Sequence, residues 1–366
     1  MDKQGPIHYQ LKRIPREINV SAETNHGSTQ DGARAIGVWL LIICAMVFAM
    51  VVLGGFTRLT ESGLSMTDWR PITGWLPPLS EAAWQVQFDG YRASPEYLKV
   101  NAGMSLAQFK EIFWLEYLHR LWGRLIGLAF AVPFAAFVIK GRVNRGLMLR
   151  LGALFALGGL QGLVGWWMVK SGLVDHPDVS QYRLAVHLMT AFLIMGLGLW
   201  FALDLLKSGR VACSARVRRL STLTLVMVFV TAFSGALVAG LNAGLIYNTF
   251  PLMLGEVFPS EGFQLTPWYL NFFEDIPTVQ FDHRWLAIST FLFVVAIWFM
   301  SRAEMPNVRT RANVLLGIAL LQVTLGISTL LLVVPIPLAA AHQAGAVALF
   351  AAAIWLRHGL NGAPTR

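Results

Sequence analysis

The sequence predicts an all-α integral membrane protein. Its eight transmembrane helices are expected to form two tandem four-helix bundles related by pseudo-two-fold symmetry. Three observations carry this. The 366 residues are 55% hydrophobic and only 13% charged, where a soluble domain of this size carries roughly 25% charged residues. Eight apolar segments approach or reach the about 20 residues that cross a bilayer. Short patterns also recur in the same order in the two halves of the chain.

Residues 1–35 are polar, with mixed charge and no apolar core, and read as a cytoplasmic tail rather than a signal peptide. Spans follow at 36–57, 115–139, 149–169, 183–203, 220–240, 281–300, 312–333 and 338–357, the eighth marginal in length. All must be helices, because an open sheet leaves backbone groups unpaired in lipid. This divides the chain into a four-helix domain at 36–204, a cytoplasmic linker at 205–219, a second four-helix domain at 220–357 and a cytoplasmic tail at 358–366.

The formal charge of +9 does not point to nucleic acid. Basic residues gather in three short connections, around Lys140 to Arg150, Lys207 to Arg219 and Arg302 to Arg311, while segment 241–280 holds Glu256, Glu261, Glu274 and Asp275 with no Lys or Arg. That is the positive-inside pattern of membrane insertion. It puts both termini in the cytoplasm and the segments 58–114, 170–182 and 241–280 on the outer side. The two cysteines, Cys44 in a span and Cys213 in a cytoplasmic connection, are too separated to suggest a disulfide or thiolate site.

The halves share motifs in order. Spans two and six carry the His119-Arg120 and His283-Arg284 steps; spans three and seven carry Gln161/Gly165 and Gln322/Gly326; spans four and eight carry His187 and His342. Units of four spans insert with the same orientation, giving a parallel repeat about an axis along the membrane normal.

His119, His187, His283 and His342 each fall in the first two turns of an even-numbered span and so lie at one depth near the outer interface. Within a half, opposing imidazoles can ligate a porphyrin iron from both sides while the bundle covers the macrocycle. A single membrane histidine can equally serve helix packing. Zinc fits less well, since no acidic or thiol set completes a tetrahedron at both pairs. Arg120, Arg124, Arg183 and Arg284, with Arg58, occupy the same outer zone and could receive propionates; for Arg120 an i,i+4 pair with Glu116 is the competing reading. Trp122, Trp166, Trp167 and Trp285 either line a porphyrin or belong to the interfacial aromatic belt. Gly54, Gly55, Gly158, Gly159, Gly162, Gly165 and Gly326 read as sites of close helix contact.

The halves differ at one chemically telling position. Glu116 precedes His119 by three residues, whereas Gln280 precedes His283. One site is then a candidate for reaction and the other for a redox relay.

The stretches "EYLHR" from Glu116, "FDHR" from Phe281 and "GLSMTDWRPITGWLPP" in the first outer segment resemble the haem A synthase family, over nearly the whole chain from the first span to the last. The likeness is to the alphaproteobacterial and mitochondrial branch without paired outer-loop cysteines. It implies a bacterial inner-membrane enzyme for cytochrome oxidase biogenesis, with its haem sites toward the periplasm. It implies oxidation of the C8 methyl of haem O to the formyl of haem A through hydroxymethyl stages. His119 and His187 would flank substrate haem, with Glu116 as the essential acidic residue, and His283 and His342 would ligate a resident haem b. Expected partners are haem O, a haem O synthase and an electron-transfer partner; homo-oligomerisation stays open. The rival reading is a di-haem cytochrome b that only transfers electrons.

Overall fold

The computed structural model describes residues 20–70, 73–173, 178–207 and 209–361, and side chains from residue 31 onward. The tail residues 1–19 and 362–366, together with His8, Pro71, His176 and the His26 side chain, lie outside the described residues.

Helices dominate. They are α1 (Val20–Leu59), α2 (Glu81–Arg92), α3 (Pro95–Lys99), α4 (Leu106–Ile139), α5 (Arg145–Gly172), α6 (Gln181–Leu205), α7 (Ala215–Gly240), α8 (Asn271–Glu274), α9 (Ile276–Met300), α10 (Pro306–Leu331) and α11 (Ile336–His358). Among the described residues, eight are long and apolar enough to cross a membrane: α1, α4, α5, α6, α7, α9, α10 and α11. The protein is an all-α, multi-pass membrane protein. Two short strands, β1 (Val211–Ala212) and β2 (Leu360–Asn361), pair in parallel and tie the linker to the end of α11.

Helix ends follow local chemistry. Ser105 and Gln108 form a reciprocal capping box before α4, and Asn144, Ser214 and Asp275 cap α5, α7 and α9 through their side chains. Pro306 and Pro337 fall in the first turns of α10 and α11, where a missing N–H costs nothing. Pro133 inside α4 is different, because it removes the bond that Ala129 would accept. The Trp39 indole of α1 donates to that freed Ala129 carbonyl at 2.8 Å, so this carbonyl is not left unpaired.

Within the N-terminal half α1 packs on α4 and α6, and α5 packs on α4 and α6; in the C-terminal half α7 packs on α9 and α11, and α10 on α9 and α11. The halves meet through α6 on α7, α1 on α11 and α6 on α11. At the α1–α11 seam, Gln343 donates to the Val51 carbonyl at 2.9 Å, and Gly55 leaves room for its amide.

The first outer segment is not a bare loop. Trp84, Phe88 and Tyr91 of α2 pack on Phe109, Phe113 and Tyr117 of α4, making a second core above the bundle. Tyr91 stacks on Phe109 with ring centroids 5.2 Å apart. This corrects the expected start of the second span at 115: α4 begins at Leu106, because its first turns are buried under α2 instead of lipid. The seventh span ends at Leu331, two residues early, and the linker shortens to the stretch between Leu205 and Ala215.

Candidate functional site

Four helices deliver the histidines: His119 from α4, His187 from α6, His283 from α9 and His342 from α11. The last three lie within the first two turns, as the sequence suggested. His119 does not; it sits about 3.6 turns into α4, because that helix extends outward under the aromatic cap. His119 and His187 lie within electrostatic reach of one another, as do His283 and His342, so each half holds one pair.

A glycine on the neighbouring helix backs every imidazole. A Cβ placed on Gly54, Gly165, Gly235 or Gly326 would fall 3.1, 2.9, 3.0 or 2.7 Å from Cε1 of His119, His187, His283 or His342 respectively. A methyl group at Gly165 or Gly326 would force the imidazole to move, and one at Gly54 or Gly235 would press against it. The sequence reading of these glycines as close helix contacts holds for Gly54, Gly55, Gly165 and Gly326, each against a side chain of a neighbouring helix, and fails for Gly158, Gly159 and Gly162. Gly54, Gly165 and Gly326 seat histidines, Gly55 meets Gln343, and Gly158, Gly159 and Gly162 have nothing within 4 Å of such a Cβ. Gly235 was missed, although the glycine opposite the other His-Arg step could have signalled it.

The recurring Gln–Gly spacing now has a physical meaning. Gln161 donates to the His187 carbonyl at 3.0 Å and Gln322 donates to the His342 carbonyl at 3.0 Å. One helical turn on, Gly165 and Gly326 clear the ring of the same histidine. The amide fixes the backbone and the glycine fixes the ring. On the partner helices, Nδ1 of His119 meets Thr57 Oγ1 at 3.3 Å and Nδ1 of His283 meets Ser234 Oγ at 2.9 Å. A bond of this kind at one ring nitrogen orients the other for ligation. Nδ1 of His187 and of His342 is buried with no hydrogen-bond partner among the described residues.

These features fit an iron porphyrin. Each half presents two half-buried imidazoles seated in glycine cradles. Among the described residues, no group of three or more His, Cys, Asp or Glu side chains comes together to hold a bare metal ion. A pair of imidazole nitrogens is a donor set that haem iron takes.

Glu116 is 3% exposed, and both its oxygens are engaged. Oε2 accepts from Ser65 Oγ and from the Met66 backbone N–H, each at 2.7 Å, while Oε1 accepts from Arg120 at 2.5 Å. Arg120 reaches on to the Asp68 and Met66 carbonyls at 2.9 and 2.8 Å. The competing reading of Arg120 as Glu116's i,i+4 partner is thus the geometry found, and the pair clamps the outer segment over His119.

The second half builds the same clamp with inverted polarity. Gln280 donates to the Ala243 and Ile246 carbonyls at 2.7 and 2.5 Å, and its Oε1 accepts from Arg284 at 2.8 Å. Arg284 donates in turn to the Thr249 and Tyr247 carbonyls at 2.7 and 2.5 Å. A carboxylate serves where the loop offers donors; an amide serves where it offers carbonyls.

The other cations line the same outer zone. Arg124 donates to the Arg70 carbonyl at 2.8 Å beside Trp75, and Arg183 donates to the Trp167 carbonyl at 2.7 Å with its guanidinium 4.5 Å from that ring. Arg58 crosses between halves to the Asn242 amide oxygen at 3.0 Å. Trp122 turns to the Met46 carbonyl at 2.9 Å, and Trp166, Trp167 and Trp285 are exposed on the bundle surface.

The profile of the COX15-CtaA family, described as cytochrome oxidase assembly protein, matches residues 37–354. The chain belongs to the COX15-CtaA family. Relatives within it include the Heme A synthase of Nitrosospira multiformis, 54% identical over 90% of this chain and 94% of that protein. The Heme A synthase of Paramagnetospirillum magneticum is 51% identical over 90% and 94%. Heme A synthase COX15 of Arabidopsis thaliana is 45% identical over 96% of this chain and 81% of its own length. Both bacterial and mitochondrial-type members of the COX15-CtaA family thus resemble this chain, in keeping with the branch the sequence motifs indicated. Their name is that of an enzyme, and the rival reading of a protein that only carries electrons finds no support in them.

Proposed function

We propose that this chain is a haem A synthase: an oxidoreductase that converts haem O to haem A for cytochrome oxidase assembly. It oxidises the C8 methyl group to a formyl group through hydroxymethyl stages. The observation that carries this reading, given the family, is the difference between two otherwise matching sites. Both have paired histidines, glycine seats and an arginine clamp, but only the first has a carboxylate, Glu116, three residues before its histidine.

His119 and His187 hold substrate haem in the domain at 36–204, and His283 and His342 hold a resident haem b in the domain at 220–357. When bound, haem b supplies a one-electron relay for equivalents leaving the substrate. Gly54, Gly165, Gly235 and Gly326 set the ring orientations, and Gln161 and Gln322 fix the backbones behind His187 and His342. Arg120, Arg124, Arg183 and Arg284 form a cationic outer rim for propionates, with Arg120 and Arg284 also closing the outer segments over the sites. Glu116, with donors on both oxygens, acts by holding that segment and orienting water at the methyl carbon. Such positioning contributes several kcal/mol to a barrier. The two domains relate by a pseudo-two-fold axis, matching the way α1, α4, α5 and α6 pack in one and α7, α9, α10 and α11 in the other. Both termini face the cytoplasm and the haem sites face the periplasm of a bacterial inner membrane. A haem O synthase supplies the substrate and an electron-transfer partner removes the electrons.

The test is a pigment extract. Expressed in a host that makes haem O but not haem A, this chain is expected to yield haem A together with bound haem b. A preparation holding haem b alone, with haem O unconverted, returns the protein to the electron-carrier class.

A further inference from the structure

A cavity of about 430 Å³ opens on the flank of the second half between α7 and α9, roofed by Phe272 and Phe273 of α8. Its walls are apolar and aromatic, including Phe233, Leu286 and Trp285, but Ser234, Asp282 and Ser289 place three polar side chains among them. Trp285 is 47% exposed, so the cavity faces the surrounding lipid. Ser234 also contacts Nδ1 of His283 at 2.9 Å, putting one wall a single hydrogen bond from that imidazole.

The first half shows what this flank looks like without such a cavity's chemistry. In the sequence register that aligns His119 with His283 and Gly54 with Gly235, Ser234, Asp282 and Ser289 correspond to Leu53, Leu118 and Leu125. All three polar positions are leucines there. A lipid-facing scaffold needs no polar side chain at these places, and polar groups at membrane depth are costly unless used.

We propose that this cavity binds the head ring of a lipid-soluble quinone. An apolar slot with a few convergent polar groups is the form of a small-ligand site. The Ser289 hydroxyl donates to a quinone carbonyl, Asp282 provides an acceptor for the reduced ring, the aromatic walls stack on it, and Ser234, whose proton goes to the Thr231 carbonyl, links the wall to His283. The inference rests on the reading above, in which electrons from haem O leave through the second half, and it names their class of acceptor. Oxidising a methyl group with one water to a formyl group releases four electrons and four protons. Two quinones take up all of them and become two quinols, while the oxygen of water ends in the formyl group.

Binding can be read without turnover. Titrating the purified protein with decylubiquinone is expected to give saturable quenching of tryptophan fluorescence. The double substitution Asp282→Leu with Ser289→Leu, which copies the first half, weakens that binding about tenfold or more, as loss of the polar contacts requires. Trp285→Phe in the otherwise native chain removes the saturable component and needs no change to the polar wall. Curves from both variants that superpose on the native one overturn the site. That outcome would leave haem A formation in the pigment extract untouched, so the two readings fail separately.

Discussion

Gly165 and His187 lie so close that a methyl group on the glycine would meet the imidazole Cε1 at 2.9 Å. The ring cannot shift freely, because Gln161 holds the His187 carbonyl at 3.0 Å on the same helix face. Gly165→Ala therefore overpacks the seat, at a cost of about 1–3 kcal/mol. If that falls on haem binding, occupancy of the first site drops roughly tenfold. Gly162→Ala, with nothing within 4 Å, is the matched control and is expected to leave occupancy unchanged. The haem-to-protein ratio after purification checks both, and equal ratios would remove the glycine cradle from the argument.

Glu116 and Gln280 are not interchangeable. Glu116→Gln points an amide N–H₂ at the Met66 N–H or the Ser65 hydroxyl and leaves Arg120 without its carboxylate. Gln280→Glu sets a carboxylate against the Ala243 and Ile246 carbonyls. Each swap leaves buried groups mispaired at about 1–3 kcal/mol apiece. Both variants are expected to unfold at lower temperature and to expose their outer segments to protease. Only Glu116→Gln is expected to leave haem O unconverted as well. Full conversion to haem A by Glu116→Gln dismisses the carboxylate from the chemistry.

The spans were legible because about 20 apolar residues have no alternative to a membrane helix. The histidines were legible because four recur in order, and Glu116 because its counterpart is Gln280. What the sequence hid lies in the segments without periodicity. Nothing in residues 60–70 or 242–252 advertised that Met66, Ala243 and Ile246 would be partners of Glu116 and Gln280, since backbone groups carry no sequence signal, and the Ser65 hydroxyl stands in a segment without periodicity. The Gln–Gly repeat set Gly165 apart from Gly158, Gly159 and Gly162, but nothing in the sequence said that an imidazole stands opposite it. The start of α4 was misplaced because its outer turns are covered by Trp84, Phe88 and Tyr91, which lie far back in the chain.

His283 and His342 are the residues that would hold the haem of the second half. Changing either to Met replaces an imidazole nitrogen by a thioether, which shifts the field at iron and raises its potential. The optical spectrum of the purified variants is expected to lose the native low-spin bands, while the Gly235 and Gly326 seats remain in place. Native bands in both variants exclude these two residues as ligands.

Glu96 gives the outer cap a pH dependence of opposite sense to that of most carboxylates. It is buried in α3 at 4% exposure, and one of its oxygens has no hydrogen-bond partner among the described residues. Burial first, and then repulsion from Glu116, push its carboxyl up to about 8 from an ordinary 4.5. The folded protein thus keeps a proton on Glu96 between about pH 4.5 and 8 that the unfolded chain has released. Stability then falls as pH rises through that window, at a rate of about 1 kcal/mol per unit. In Glu96→Gln, which is neutral in both states, this contribution vanishes. Thermal midpoints measured from pH 5 to pH 8 are expected to fall in the native protein relative to the variant, the gap widening toward pH 8. Parallel curves would mean that the carboxyl is charged in the folded state and that the cap accommodates it with a partner or a water.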